Sequence, residues 1–184
     1  MKNTKVKIEG NNIKLIPNWS VQKFKRDDHS NQYPDKIILI QQFFTPQDFF
    51  RKLEIQKCLE KNCDNDKIDK IYLLNEKIYE MGELGLNLQQ YSKITQINIK
   101  KRLTYKHIVD FVKTEKLSGY IVFSNADIYL DETIENVFKT TLSVSSSWYA
   151  QLRIEAYNNT LFGPSAYAQD TWIFHTKPFE KKEI

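Results

Sequence analysis

Glycine is scarce in this chain, with five in 184 residues. No Gly-x-Gly-x-x-Gly follows the first apolar run, and there is no Gly-Lys-Ser/Thr phosphate loop. That speaks against a phosphate cradle built from backbone N–H groups. A nucleotide diphosphate bound here has to be neutralised by side chains and a metal. Cysteine is scarcer still. Cys58 and Cys63 are the only two, without partners at metal-ligand spacing, and reduced thiols in an intracellular protein are the favoured reading. No apolar run approaches the ~20 residues that span a bilayer. No apolar segment follows Met1-Lys2-Asn3, so no signal peptide is read and a cytoplasmic protein is expected. Basic charge is not concentrated either. The net charge of +4 comes from dispersed lysines, with Lys100-Lys101-Arg102 as the one run, which is no nucleic-acid footprint.

What remains is an ordinary globular composition, 41% hydrophobic and 27% charged, long enough for one domain with a sizeable core. Residues 1–35 read as a polar extension. In it, Val6-Lys7-Ile8 and Ile13-Lys14-Leu15, separated by a turn near Gly10, suit a hairpin. The organised part is 36–184. Residues 37–40 form a buried strand. Thr45 as cap, Pro46 at the first helical position and Asp48 in the first turn predict a helix start. Phe49, Phe50 and Leu53 begin that helix, and Ile55, Cys58 and Leu59 fit one face less cleanly. Residues 68–74 and 93–99 are further strands, the latter near an edge. Tyr105, Ile108, Val109 and Val112 share one helical face. Residues 120–123 make a central strand. Asp131 caps a short helix with Ile134, Val137 and Phe138 on one face. Alternation over 148–155 predicts a half-buried strand, and 171–174 another. This order predicts α/β, with a mixed, mostly parallel sheet flanked by helices.

The most informative stretch is 119–130. Gly119 feeds the apolar run Tyr120-Ile121-Val122-Phe123, and polarity then changes abruptly at Ser124, Asn125 and Asp127. Side chains two apart on an extended chain point the same way. Asn125 and Asp127 therefore project together from the carboxyl end of a central strand, where open α/β sheets bind ligands. An amide and a carboxylate there suit a divalent cation, and the cation suits a diphosphate. The competing reading is a strand-to-helix turn that these residues merely shape.

Tyr120-Ile121-Val122-Phe123-Ser124-Asn125-Ala126-Asp127 resembles the apolar-run-plus-Asp-x-Asp signature of GT-A glycosyltransferases. More narrowly, the stretch from Ser124 to Ile134 resembles "Asn-Ser-Asp-Ile-Tyr-Phe-Asp" of a glycosyltransferase-like group in large DNA viruses, algae and bacteria. Arg102-Leu103-Thr104-Tyr105 resembles that group's "Arg-x-Thr-Tyr/Phe". Ala150-Gln151-Leu152-Arg153-Ile154-Glu155 is similar to its "Ala-Leu-x-Arg-x-Glu/Asp". Ala168-Gln169-Asp170-Thr171-Trp172-Ile173-Phe174 is similar to its "Ser-Gln-Asp-x-Trp-x-Phe". Order and spacing agree over roughly residues 36–178.

The resemblance implies a GT-A-like, Rossmann-like domain and a nucleotide-diphosphate sugar as donor. It also implies Mn²⁺ or Mg²⁺, and transfer to a hydroxyl of a glycan or glycoprotein acceptor, with inversion. It places Gln41 to Phe44 beside the base and ribose. Phe43 or Phe44 is then a stacking face, or both are core. Asn75 is a further base or ribose candidate. Arg102 meets the pyrophosphate, or belongs to a solvated basic run. Asp127 binds the metal, with Asn125 on the ribose or a metal-bound water. Asp170 is the base candidate and Glu155 the runner-up; the alternative for Asp170 is a cap or a salt bridge with Arg153. Two departures stand out. Asn125 replaces the first Asp of Asp-x-Asp. The group's later segment of Gly-x-x-Gly-Cys-Asp-Asn character is not among these residues, which questions turnover more than donor binding. A non-catalytic sugar-nucleotide or carbohydrate-binding module is the second reading. A nucleotidyltransferase is weaker, because the glycine-rich loop it needs is missing.

Overall fold

The computed structural model describes residues 5–9, 12–16, 35–162 and 169–180. Strands β1 (Lys5–Glu9) and β2 (Asn12–Ile16) pair antiparallel within a separate unit, Met1–Ser30. The α/β unit runs in order through β3 (Ile37–Gln41), α1 (Phe49–Asp64), β4 (Lys70–Asn75), α2 (Met81–Leu84), α3 (Leu88–Tyr91), β5 (Ile94–Asn98), α4 (Tyr105–Thr114) and β6 (Tyr120–Ser124). A 3₁₀ helix (Glu132–Lys139), β7 (Tyr149–Gln151), β8 (Ile154–Glu155), β9 (Thr160–Leu161), β10 (Thr171–His175) and α5 (Lys177–Glu180) follow.

The main sheet has six strands in the order β5-β4-β3-β6-β10-β7. The first four are mutually parallel, and β10 lies antiparallel to both β6 and β7. The expected mixed, mostly parallel α/β sheet is therefore present. Its central strands β3 and β6 are buried on both faces because both faces are covered. Ile37, Leu39, Ile71, Leu73, Tyr120 and Val122 face α1 and the 3₁₀ helix, meeting Ile55, Leu59 and Val137. Ile38, Ile40, Leu74, Ile121 and Phe123 face α4, meeting Ile108 and Val112. The chain winds from β3 outward to β5, then returns past β3 to β6. The winding direction reverses between β3 and β6, and their carboxyl ends flank a crevice there.

Gly119 has φ +119°, and a Cβ on it would lie 2.5 Å from the Lys36 carbonyl oxygen. Only glycine fits where α4 turns into the central strand beside β3.

Three local expectations need correction. Asp48, not Thr45, caps α1: its carboxylate accepts from the Arg51 N–H at 2.7 Å. An ionised acceptor three residues before a free helical N–H is the stronger cap. The buried face of α1 is Ile55, Cys58, Leu59, Asn62 and Cys63, while Phe49, Phe50 and Leu53 are exposed. That face is regular, and a polar residue inside it hid the period. Finally, 148–155 is not one strand. Only Tyr149–Gln151 joins the main sheet, and Ile154 leaves it to pair with Leu161 in a small hairpin.

Candidate functional site

The crevice at the carboxyl edge is a cavity of about 840 Å³. Its walls include Gln42 and Phe44 after β3, Arg51 on α1, Glu76 after β4, and Arg102 to Tyr105 at the start of α4. Asn125, Ala126 and Asp127 after β6, with Trp172 on β10, complete it. Asn125 and Asp127 stand at the open edge on a turn closed by the Ile128 N–H to the Asn125 carbonyl at 3.2 Å, so the turn weighed as the alternative is present and places the pair, not strand alternation.

The loop that carries them is held by amides. Gln41 Nε2 donates to Ser124 Oγ at 2.8 Å, Asn125 O at 2.9 Å and Ile128 O at 3.2 Å. Asn62, on the buried face of α1, donates to Ile128 O at 3.0 Å and accepts from the Leu130 N–H at 2.8 Å. Asn65 donates to Leu130 O at 2.9 Å. With its backbone anchored at several points, the loop presents Asp127 from a preorganised frame.

Asp127 faces Arg51. Their Oδ2–Nη2 distance is 2.8 Å, and the Asp127 side chain is 26% exposed. Arg51 also reaches Glu54 at 2.6 Å. The bond to Asp127, supported by Glu54, raises the Arg51 pKa further despite partial desolvation. Asn125 Nδ2 donates to Asp170 Oδ1 at 2.9 Å. Arg153 donates from Nη1 to Asp170 Oδ2 at 3.0 Å and from Nε to Glu155 Oε1 at 2.8 Å. Bonds to Glu155 and then Asp170 raise the Arg153 pKa. The guanidinium also lies over the Phe162 ring, 3.8 Å from its centroid.

Several expected ligand contacts are instead structural. Gln41 is 2% exposed, its nitrogen is consumed as above, and its Oε1 accepts from Asn62 at 3.3 Å. Alternation along β3 turns it under α1, not into the crevice. Phe43 is 2% exposed and meets Tyr79 edge to face at 4.9 Å, so it is core. Asn75 is fully buried: Oδ1 accepts from the Phe43 N–H at 2.8 Å, and Nδ2 donates to Gln96 Oε1 at 3.1 Å. These three do not line the cavity.

Phe44, 44% exposed, does line the cavity, as does Arg102, which is exposed. Asp170 and Glu155 lie outside its lining, tied to Arg153. The salt bridge weighed as the alternative for Asp170 is therefore present. His175 is buried against Tyr120, far along β10 from the crevice edge. Burial pushes the Cys58 and Cys63 thiols up to about 11 and about 12, so neither supplies a thiolate near neutral pH.

Sequence reasoning missed Arg51 and Glu76, and gave Gln42 no role beyond its place in the 41–44 stretch. Arg51 had a signal. It stands in the first turn of the helix after β3, which places a cation at the carboxyl edge. Gln42 pins the Arg102 segment, donating to Lys101 O at 3.0 Å and accepting from the Leu103 N–H at 3.1 Å. Nothing in the sequence pattern marks that contact.

Among the described residues no three His, Cys, Asp or Glu side chains cluster as a metal site. The oxygens on offer are the Asp127 carboxylate and the Asn125 amide oxygen, with the Glu76 carboxylate elsewhere on the cavity wall. So small a donor set fits a hard cation that keeps waters and takes substrate phosphate oxygens as its remaining ligands.

The arrangement is an α/β sheet of Rossmann-like kind with a crevice at its winding reversal. No family model matches the sequence, and no curated protein matches it. Among solved structures, it is similar to a 4-diphosphocytidyl-2C-methyl-D-erythritol synthase, 11% identical over 79% of this chain and 77% of that one, with a TM-score of 0.49. A cytidylyltransferase from Leptospira borgpetersenii is 15% identical over 80% of this chain and 63% of that one, at 0.48. The apo-form glycosyltransferase GlyE of Streptococcus pneumoniae is 14% identical over 80% and 36%, at 0.42. Likenesses this distant do not say what the crevice binds. Among the described residues no helix is long and apolar enough to cross a membrane.

Proposed function

We propose that this chain is a GT-A-type glycosyltransferase. It binds a nucleotide-diphosphate sugar in the crevice and passes the sugar to a hydroxyl of a glycan or glycoprotein acceptor, with inversion. The observation that carries this reading is the placement of Asn125 and Asp127. They are the residues of the Asp-x-Asp-like motif, and both open into a cavity of about 840 Å³ at the winding reversal. Phe44 offers a ring face for the base. Arg102 offers a guanidinium fork to the pyrophosphate oxygens. Asp127 and Asn125 would hold Mn²⁺ or Mg²⁺. When bound, the cation supplies positive charge that stabilises the departing nucleotide diphosphate. The acceptor oxygen bonds to the anomeric carbon as the carbon–diphosphate bond breaks. Asp170 takes the acceptor proton, with Glu155 as the second candidate base.

A non-catalytic sugar-nucleotide or carbohydrate-binding module is the second reading, favoured by the state of Asp170. Both of its oxygens already accept a hydrogen bond, and its side chain is only 13% exposed. A carboxylate oxygen keeps a further lone pair, so the bonds leave room for a base without requiring one.

The test is thermal unfolding with a panel of nucleoside diphosphates, with and without Mn²⁺, on wild type and Asp127→Ala. A ligand at ~100 times its dissociation constant adds about 2.7 kcal/mol, or roughly 5–10 °C for a domain of this size. A metal-dependent shift absent from Asp127→Ala is the expected result. No shift with any nucleotide, in folded protein, sinks the reading. Donor hydrolysis lost in Asp170→Asn with donor binding retained supports the enzyme. Binding with no hydrolysis or transfer in wild type supports the module.

A further inference from the structure

Arg51 has no role in the function proposed above, yet it occupies the most sensitive position in the crevice. Its guanidinium sits 2.8 Å from Asp127 Oδ2, on the carboxylate that a cation would use. The two residues are 76 positions apart in sequence, so the fold, not local helix chemistry, creates the pair. The pair is also asymmetric. Asp127 belongs to a loop anchored by Gln41, Asn62 and Asn65. Arg51 is a long side chain, 42% exposed, on the surface of α1. If the pair opens, the arginine is the part that moves.

Charge supplies the second argument. Among the described residues, the ionisable groups of fixed charge around the cavity are Arg51, Arg102, Glu76 and Asp127, two of each sign. The crevice is therefore neutral as it stands and poorly matched to a diphosphate. A divalent cation on Asp127 makes the crevice net positive and releases Arg51 at the same time. A freed guanidinium beside that cation is a bidentate donor for phosphate oxygens.

We propose that Arg51 is an exchangeable counter-ion: it neutralises Asp127 in the empty crevice and becomes a ligand of the diphosphate when a divalent cation takes Asp127. This rests on the donor-site reading above. It makes cation and diphosphate binding cooperative, because each removes the obstacle to the other. It also gives Arg51 two opposed effects, competing with the cation and assisting the anion, which a merely structural ion pair does not have.

The experiment compares wild type with Arg51→Gln and Arg51→Lys. Mn²⁺ alone is titrated by electron paramagnetic resonance, and pyrophosphate is titrated calorimetrically in saturating Mn²⁺. Arg51→Gln is expected to bind Mn²⁺ alone about tenfold more tightly than wild type and pyrophosphate about tenfold more weakly. Arg51→Lys should fall between them on both axes, because it keeps the charge and loses the fork. Glu54→Gln, which removes the other anchor of Arg51 and leaves Asp127 intact, controls for helix destabilisation and should leave Mn²⁺ affinity within about twofold. Equal Mn²⁺ and pyrophosphate affinities in wild type and Arg51→Gln overturn the exchange and leave the donor site standing. If Mn²⁺ binds neither protein, both the exchange and the metal-dependent donor site fall. If both affinities fall together in Arg51→Gln, the pair is structural and the proposal is wrong.

Discussion

The ends of β3 and β4 and the end of β6 lie on the same rim of the same sheet, and each delivers polar or aromatic residues to it. Their fates are opposite. After β6, Asn125 and Asp127 open into the crevice. At the ends of β3 and β4, Gln41 and Asn75 are buried, and their amides are consumed by hydrogen bonds to neighbouring segments. The ends of β3 and β4 hold the end of β6. Gln41 fixes the loop that presents Asp127, and Asn75 fixes the backbone at Phe43, which leaves Phe44 turned outward. A polar residue at the carboxyl end of a strand in such a sheet is therefore either a ligand or a strut. What decides is which sheet face its position in the alternation selects, and whether a helix covers that face.

The adjacent phenylalanines give the sharpest test of this division. Phe43→Ala removes a buried ring packed on Tyr79 and should lose about 3–5 kcal/mol of stability. Phe44→Ala, at a surface ring, should change stability by less than about 0.5 kcal/mol and weaken nucleoside diphosphate binding. Urea unfolding and calorimetry of both variants check the pair, and a reversed pattern breaks the comparison. Next in size is Gln41→Leu. It leaves Ser124 Oγ and the carbonyls of Asn125 and Ile128 without their shared donor, at a cost of about 2 kcal/mol or more. Metal-dependent nucleotide binding should weaken alongside, because the Asp127 loop loses an anchor. If binding is lost while the unfolding midpoint stays put, Gln41 is a ligand contact after all.

The α/β order was legible because apolar runs 37–40, 68–74 and 120–123 need two covered faces, and amphipathic segments lie between them. The pair Asn125 and Asp127 was legible for the same reason: a buried run that breaks into polar residues has left the core. Gln41 and Asn75 follow their strands in the same way, yet they are struts. A single chain does not display that Asn62, one polar residue on the otherwise apolar face of α1, waits opposite Gln41. Such contacts join residues far apart in sequence and carry no period. Arg51 was hidden by its neighbours: beside Phe49, Phe50 and Leu53 it reads as the polar gap in an apolar helix start, whereas those apolar residues are exposed and Arg51 faces the site. The break of 148–155 after Gln151 was hidden by alternation that continues past the point where pairing stops.

The smallest stability effect separates site from surface within the basic run itself. Arg102 lines the cavity, whereas Lys100 and Lys101 do not, although all three are consecutive cations. Each alanine variant should shift stability by no more than about 0.5 kcal/mol, since exposed charges contribute little. Their effects on pyrophosphate binding in Mn²⁺ should differ. A charge-assisted fork lost from the anion is worth about 1.5–3 kcal/mol, so Arg102→Ala should weaken binding roughly tenfold or more. Lys101→Ala, which keeps the backbone carbonyl that Gln42 grips, should weaken it less than about twofold, through the general field alone. Raising the salt concentration should shrink the Lys101 effect further and leave most of the Arg102 effect, because a contact pair in a crevice is screened less than a surface charge. Equal losses in the two variants, vanishing together in salt, would make the run a diffuse basic surface and remove Arg102 from the site.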